Sequence, residues 1–159
     1  MDGGSTDGTV ESVKTQFPHV NIKTVDGVFW NRGMIEAWKM AEEKKRNGCN
    51  YDYYLWLNDD TFIYKDCIAS LLRVSLLKKN RTIVLGSTVD TQTRSKLTYG
   101  GRDKTGKVAR PSSDDSPVPV IMMNGNIVLV PHSVYKKLGT LDPYYTPVSY
   151  THLRAHETR

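Results

Sequence analysis

The sequence predicts an α/β fold with a mostly parallel central sheet flanked by helices, and three observations carry that prediction. Short apolar runs such as Tyr53–Leu57 and Ile127–Val130 read as buried strands. Between them, apolar residues recur at helical spacing, as in Met34, Ala37, Trp38 and Ala41 and again in Ile68, Leu71, Leu72 and Leu76. Polar turns rich in Gly, Asn and Asp separate the two patterns, and no internal repeat is visible. The 159 residues suffice for one domain with a real core and are too few for two comfortable ones.

The chain opens on a polar loop, Asp2-Gly3-Gly4-Ser5-Thr6-Asp7-Gly8-Thr9. Such a loop normally follows a strand, so a strand is expected upstream of Met1. Val10, Val13 and Phe17 predict a short helix over 9–17, which Pro18 stops. Residues 20–25 alternate partially and read as a strand. A longer helix starts at Asn31 and ends near the cap pair Asn47-Gly48. Tyr53–Leu57 lacks alternation, as expected of a strand buried on both faces, and Asn58-Asp59-Asp60 terminates it. A helix over about 66–79 and a buried strand over 82–86 follow. Residues 87–117 read as loops around short strands, and 118–121 and 127–130 as strands either side of Asn124-Gly125-Asn126. The last helix spans Pro131 to Leu138, with proline in its first turn and Gly139 beyond its end. Residues 147–159, PVSYTHLRAHETR, have neither period nor turn logic. They resemble a translated cloning adaptor and are read as a non-native tail, so the His152 and His156 pair in it is not read as a metal site.

Composition excludes several classes. Hydrophobic residues make up 38% and charged residues 25%, ordinary for a globular protein. No apolar run approaches a membrane span, and the N-terminus lacks the regions of a signal peptide, so a cytoplasmic setting is the expectation. Cys49 and Cys67 have no metal-ligand spacing and read as small packed residues. The net charge of +5 comes from scattered Lys and Arg, and no nucleic-acid signature is present. Trp38 and Trp56 read as core. Trp30 stands between a structural and a nucleoside role, and His132 reads as exposed.

The chemistry concentrates at Asn58-Asp59-Asp60. Adjacent carboxylates repel, and at the mouth of a strand they are stable only when solvated or neutralised. A hard divalent cation, Mg²⁺ or Mn²⁺, neutralises them through oxygen ligands, completing its shell with the phosphates of a nucleotide diphosphate. Adjacent residues on an extended strand point to opposite faces, so Asn58 and Asp60 share one side, which assigns Asp60 and Asn58 to the metal and Asn58 or Asp59 to ribose or sugar hydroxyls. The plain structural alternative is an acidic turn capping the helix over 66–79.

Several segments together resemble family 2 glycosyltransferases. Asp2-Gly3-Gly4-Ser5-Thr6-Asp7-Gly8-Thr9 is similar to their D-x-G-S-x-D-G-T loop, Asn31-Arg32-Gly33 to an N-x-G element, and Asn58-Asp59-Asp60 to the D-x-D motif. Asn124-Gly125-Asn126 with Leu141-Asp142-Pro143-Tyr144-Tyr145 resembles later donor- and acceptor-side segments. Phe29-Trp30-Asn31-Arg32-Gly33-Met34 and Leu97-Thr98-Tyr99-Gly100-Gly101 are similar to the bacterial, rhamnosyltransferase-like branch that builds surface polysaccharides.

The resemblance spans residues 2–146 and implies an incomplete GT-A fold, Rossmann-like. It implies a nucleotide-diphosphate sugar donor, a glycan or lipid-linked acceptor, a divalent cation (Mn or Mg), and inversion through a carboxylate base. A place at the inner face of the membrane is compatible with it. By resemblance, Asp2 lies near the base or ribose, and Gly3 and Ser5 near the nucleotide. Asn31, Arg32 and Gly33 shape the nucleoside pocket with Arg32 near phosphate, and Asn124 belongs to the donor side. A loop leading into a helix suits phosphate through its free N–H groups.

The chain departs from the pattern at Asn58, which stands for the first aspartate, and after Tyr145, where the segment supplying the general base is expected and the adaptor-like tail begins. No catalytic residue is therefore named. A nucleotide-sugar-binding fragment without turnover is the non-enzymatic alternative. A phosphotransferase of the haloacid-dehalogenase type would need aspartate at Asn58 and threonine one place after Thr61. A nucleotidyltransferase would need a Gly-rich, basic loop after its first strand.

Overall fold

A computed structural model of the chain describes residues 1–110, 112 and 116–144. Tyr145, the adaptor-like segment 147–159 and its His152 and His156 lie outside the described residues. The described residues pack as two compact units, residues 1–50 with 139–144, and residues 51–138.

In the first unit, helix α1 (Thr9–Gln16) forms where Val10 and Val13 recur, yet it buries none of its residues, and Phe17 beyond it is half exposed. Helix α2 (Trp30–Arg46) has the stronger pattern and buries Asn31, Ile35 and Trp38. Its basic end, Lys44-Lys45-Arg46, suits the helix dipole. Residues 20–25 do not form the expected strand. One parallel bridge, Asp2 to Thr24, replaces it. Asp2 N–H donates to Lys23 O, and Val25 N–H to Asp2 O, both at 2.9 Å. The pairing stops there because the chain on the Asp2 side turns into its own loop.

In the second unit, strand β1 (Tyr53–Leu57) leads to helix α3 (Cys67–Leu77) and strand β2 (Val84–Leu85). Strands β3 (Gly101–Arg102), β4 (Met122–Met123) and β5 (Ile127–Pro131) follow, then helix α4 (His132–Leu138). The main sheet has the order β1-β5-β2, and β5 runs antiparallel to both neighbours. β3 and β4 form a separate antiparallel pair. The class is α/β, as expected, but the described ladders are antiparallel rather than mostly parallel. An apolar run such as Ile127–Val130 encodes burial and carries no sign of direction.

Every residue of β5 is buried, as befits a central strand. The core is Leu71, Val84, Ile127 and Leu129, with Tyr53, Cys67, Leu72 and Val74 packed against it. β1 departs from expectation: Tyr54 and Trp56 are buried, whereas Leu55 and Leu57 are exposed, so it alternates like a one-faced strand. Residues 118–121 form no strand either. Pro119 cannot donate to a ladder, and pairing falls instead on Met122 and Met123. Pro131 ends β5 opposite Tyr53 instead of opening α4. Cys67 packs as expected, but Cys49 is exposed. Both are free thiols. Trp38 and Trp56 are core residues. His132 is half-buried, with its ring against Tyr54 and Tyr135. Among the described residues, no helix is long and apolar enough to cross a membrane.

Candidate functional site

The sequence-derived site residues fall into both units, and each group has its own geometry. In the first unit the opening loop is organised by Asp2, which is only 6% exposed. Its carboxylate accepts the N–H of Gly4 at 3.1 Å and of Ser5 at 3.3 Å. The Ser5 hydroxyl, followed by these backbone donors and Thr24, holds the carboxyl below the usual aspartate range against the opposing effect of burial. Gly4 sits at φ 101, a backbone conformation that favours glycine, and a Cβ there would also make the Asp26 carboxylate shift.

The N–H groups of Gly4 and Ser5 are thus engaged within the loop. Gly3 is exposed, and its carbonyl accepts the Gly27 N–H at 3.2 Å. At the start of α1, Asp7 Oδ1 accepts both the N–H and the hydroxyl of Thr9, at 3.1 and 2.6 Å. Asp2 and Asp7 thus take up the N–H groups of Gly4, Ser5 and Thr9 within the loop. An Asx turn is what Asp-Gly-Gly-Ser encodes locally, and that signal was available in the sequence.

At the start of α2 the situation differs. The N-cap residue Phe29 makes no side-chain cap, and the first turn holds no acid. Arg32 is exposed there, and Gly33 donates to Phe29 O at 2.8 Å. An uncapped, acid-free helix start beside an exposed guanidinium favours an anion. Asn31 is buried, and its Nδ2 donates to Asp142 O at 3.0 Å. It ties α2 to the segment Leu141–Tyr144, and spacing in the sequence could not reveal that contact.

In the second unit, β1 and β2 flank β5 and run in the same direction, so their carboxyl ends lie together beside the start of β5. Asn58 N–H donates to Asn126 O at 3.0 Å, and Gly86 N–H to Ile127 O at 3.1 Å. The acidic segment and the Asn124-Gly125-Asn126 turn therefore meet at one edge of the sheet, and Asn124 N–H reaches Gly100 O at 3.3 Å.

The extended-strand picture of Asn58 and Asp60 on one side does not hold. Thr61 N–H donates to Asn58 O at 3.2 Å and closes a turn over 58–61. Strand alternation ends at Leu57. Nor do these acids cap α3, whose N-cap residue is Asp66. Asp59 and Asp60 are exposed, and among the described residues neither carboxylate has a hydrogen bond or ion pair. Asp2, Asp7, Asp90, Asp103 and Asp142 all accept N–H groups of their own loops. Asn124 Oδ1 is buried without a partner among the described residues.

Asp59 and Asp60 offer carboxylate oxygens beside the amide of Asn58. That set fits a hard divalent cation and does not suit a soft one. Among the described residues no three His, Cys, Asp or Glu side chains gather into a cage. Magnesium commonly takes one or two protein carboxylates and fills its shell from substrate phosphates and water, so two are compatible with it.

Compared with known proteins, the chain matches no family model, no curated protein and no solved structure.

Proposed function

We propose that the chain is the donor-binding part of a metal-dependent, inverting glycosyltransferase of family 2, with an incomplete GT-A fold, from the branch that builds bacterial surface polysaccharides. The observation that carries this reading is the pair Asp59 and Asp60. They are adjacent exposed carboxylates with no hydrogen bond or ion pair among the described residues, and they follow a strand end shared with Asn124 and Asn126. The ordered resemblance of the four motifs supports it.

In this reading Asp60, with Asn58, holds Mn²⁺ or Mg²⁺, and Asp59 and Asn124 face donor hydroxyls. A bound divalent cation supplies neutralisation of the charge that develops on a leaving diphosphate. Asn58 joins the start of the turn to the sheet through its N–H. Asp2 keeps Gly3 and Ser5 in the loop conformation. Arg32 offers its charge to phosphate at the start of α2, which Asn31 and Gly33 hold in place. The substrates are a nucleotide-diphosphate sugar and a glycan or lipid-linked acceptor at the cytoplasmic face of a membrane. The general base belongs beyond Tyr145.

Calorimetric titration with nucleoside diphosphates, with and without Mn²⁺, tests the reading. Binding should need Mn²⁺ and should be lost in Asp60→Ala. Binding that ignores Mn²⁺ and survives this change overturns it. Turnover of a labelled donor separates an enzyme from a binding fragment without turnover.

A further inference from the structure

Helix α3 packs Leu71 and Ser75 into the second unit and leaves its opposite side open. That side carries Ala69, Arg73, Leu76 and Leu77, which with the half-buried Leu72 at its border line one shallow concave surface. Leu76 and Leu77 are each 61% exposed, a large apolar area to leave in water. The helix sequence CIASLLRVSLL is apolar nearly all round, a pattern expected where the outer face is also covered.

The surrounding charge identifies the cover. From Cys67 to Arg81 there is no acidic residue, and Arg73, Lys78, Lys79 and Arg81 are all exposed. Lys65 adds one more positive charge, and Asp66 at the N-cap offsets it. The turn that carries Lys78, Lys79 and Arg81 is anchored through Asn80. Asn80 Oδ1 accepts the Tyr53 hydroxyl at 2.8 Å and the Ser75 hydroxyl at 3.0 Å, and Ser133 Oγ donates to Asn80 O. Lys79 and Asn80 adopt left-handed backbone, φ 55 and 54, which turns the chain sharply beside Leu76 and Leu77. An apolar patch with a fixed cationic border is complementary to an anionic bilayer surface, with leucines at the acyl boundary and ammonium and guanidinium groups at the headgroups.

We infer that the outer face of α3, with the Lys78-Lys79-Asn80-Arg81 turn, is a docking surface for an anionic lipid bilayer. This goes beyond the donor site and does not depend on Asp59 or Asp60.

The test is co-sedimentation of the full chain with vesicles of phosphatidylcholine alone or mixed with phosphatidylserine. The chain should pellet with the mixed vesicles only, and less so as salt rises. Each cation near the surface contributes about fivefold to partitioning, so Lys78→Glu with Lys79→Glu should weaken it by about 25-fold or more. Leu76→Asp with Leu77→Asp should abolish it. Should that apolar variant misfold by circular dichroism, the lysine variant decides alone. No binding to mixed vesicles overturns the inference, as does binding that the lysine changes leave intact. A dimer that falls apart in the leucine variant, with no vesicle binding by the original chain, assigns the face to a second copy instead.

Discussion

The backbone N–H of Asn58 donates to the carbonyl of Asn126 at 3.0 Å, joining the acidic end of β1 to the turn that opens β5. This bond extends the β1–β5 ladder one step past Leu57 and Ile127. It fixes where the free carboxylates begin. Replacing Asn58 by aspartate leaves the backbone bond untouched and adds a third carboxylate. Mn²⁺ affinity should rise in Asn58→Asp, and titration with the metal reads this directly.

Asp60→Ala and Asp59→Ala should leave stability within about 0.5 kcal/mol, because both side chains are exposed and have no partner among the described residues. Urea unfolding midpoints check it. A large loss of stability in either variant would mean that the acids serve the fold.

Asp2 should behave in the opposite way. Its carboxylate accepts the N–H groups of Gly4 and Ser5, so Asp2→Ala strands donors that Asp2→Asn can still partly satisfy. The expected order of melting temperature is Asp2 above Asn above Ala. Equal melting temperatures would remove Asp2 as the loop's organiser.

Leu71→Ala should destabilise the second unit by about 2–5 kcal/mol, since Leu71 is 5% exposed among Val84, Ile127 and Leu129. Chemical unfolding followed by Trp56 fluorescence measures it.

Glu36 bridges Lys23 at 2.8 Å and Lys39 at 2.6 Å, and these two partners hold its carboxyl down to about 2. A depressed carboxylate stabilises the fold above its unfolded value and loses that contribution as pH falls through the folded one. The stability of the first unit should therefore decline between about pH 4.5 and about pH 2. Glu36→Gln should flatten that decline and cost less than about 1 kcal/mol at neutral pH, because the lysines are solvent-exposed. Thermal melts across this range test both statements.

Much of the helical structure was legible in the sequence. The spacing Met34, Ala37, Trp38, Ala41 and the Asn47-Gly48 cap place α2 within a residue, and Ile68 to Leu76 place α3. β1 was legible because five aromatic and aliphatic residues stand between polar turns. Strand direction was not, because it depends on which chain lies alongside. The region 20–25 has strand-like residues, but only Thr24 finds a partner, in Asp2. At the acidic segment the hydrogen bond from Thr61 to Asn58 replaced the assumed extended geometry with a turn. The tie from Asn31 to Asp142 joins residues distant in sequence, which local pattern does not encode.

The most direct measurement of the central claim is paramagnetic broadening of backbone amide signals by Mn²⁺ in the presence of a nucleoside diphosphate. The account predicts selective loss of signal at Asp59, Asp60 and Thr61 and across Asn124-Gly125-Asn126, abolished in Asp60→Ala. Broadening centred elsewhere, or unchanged in that variant, would contradict it.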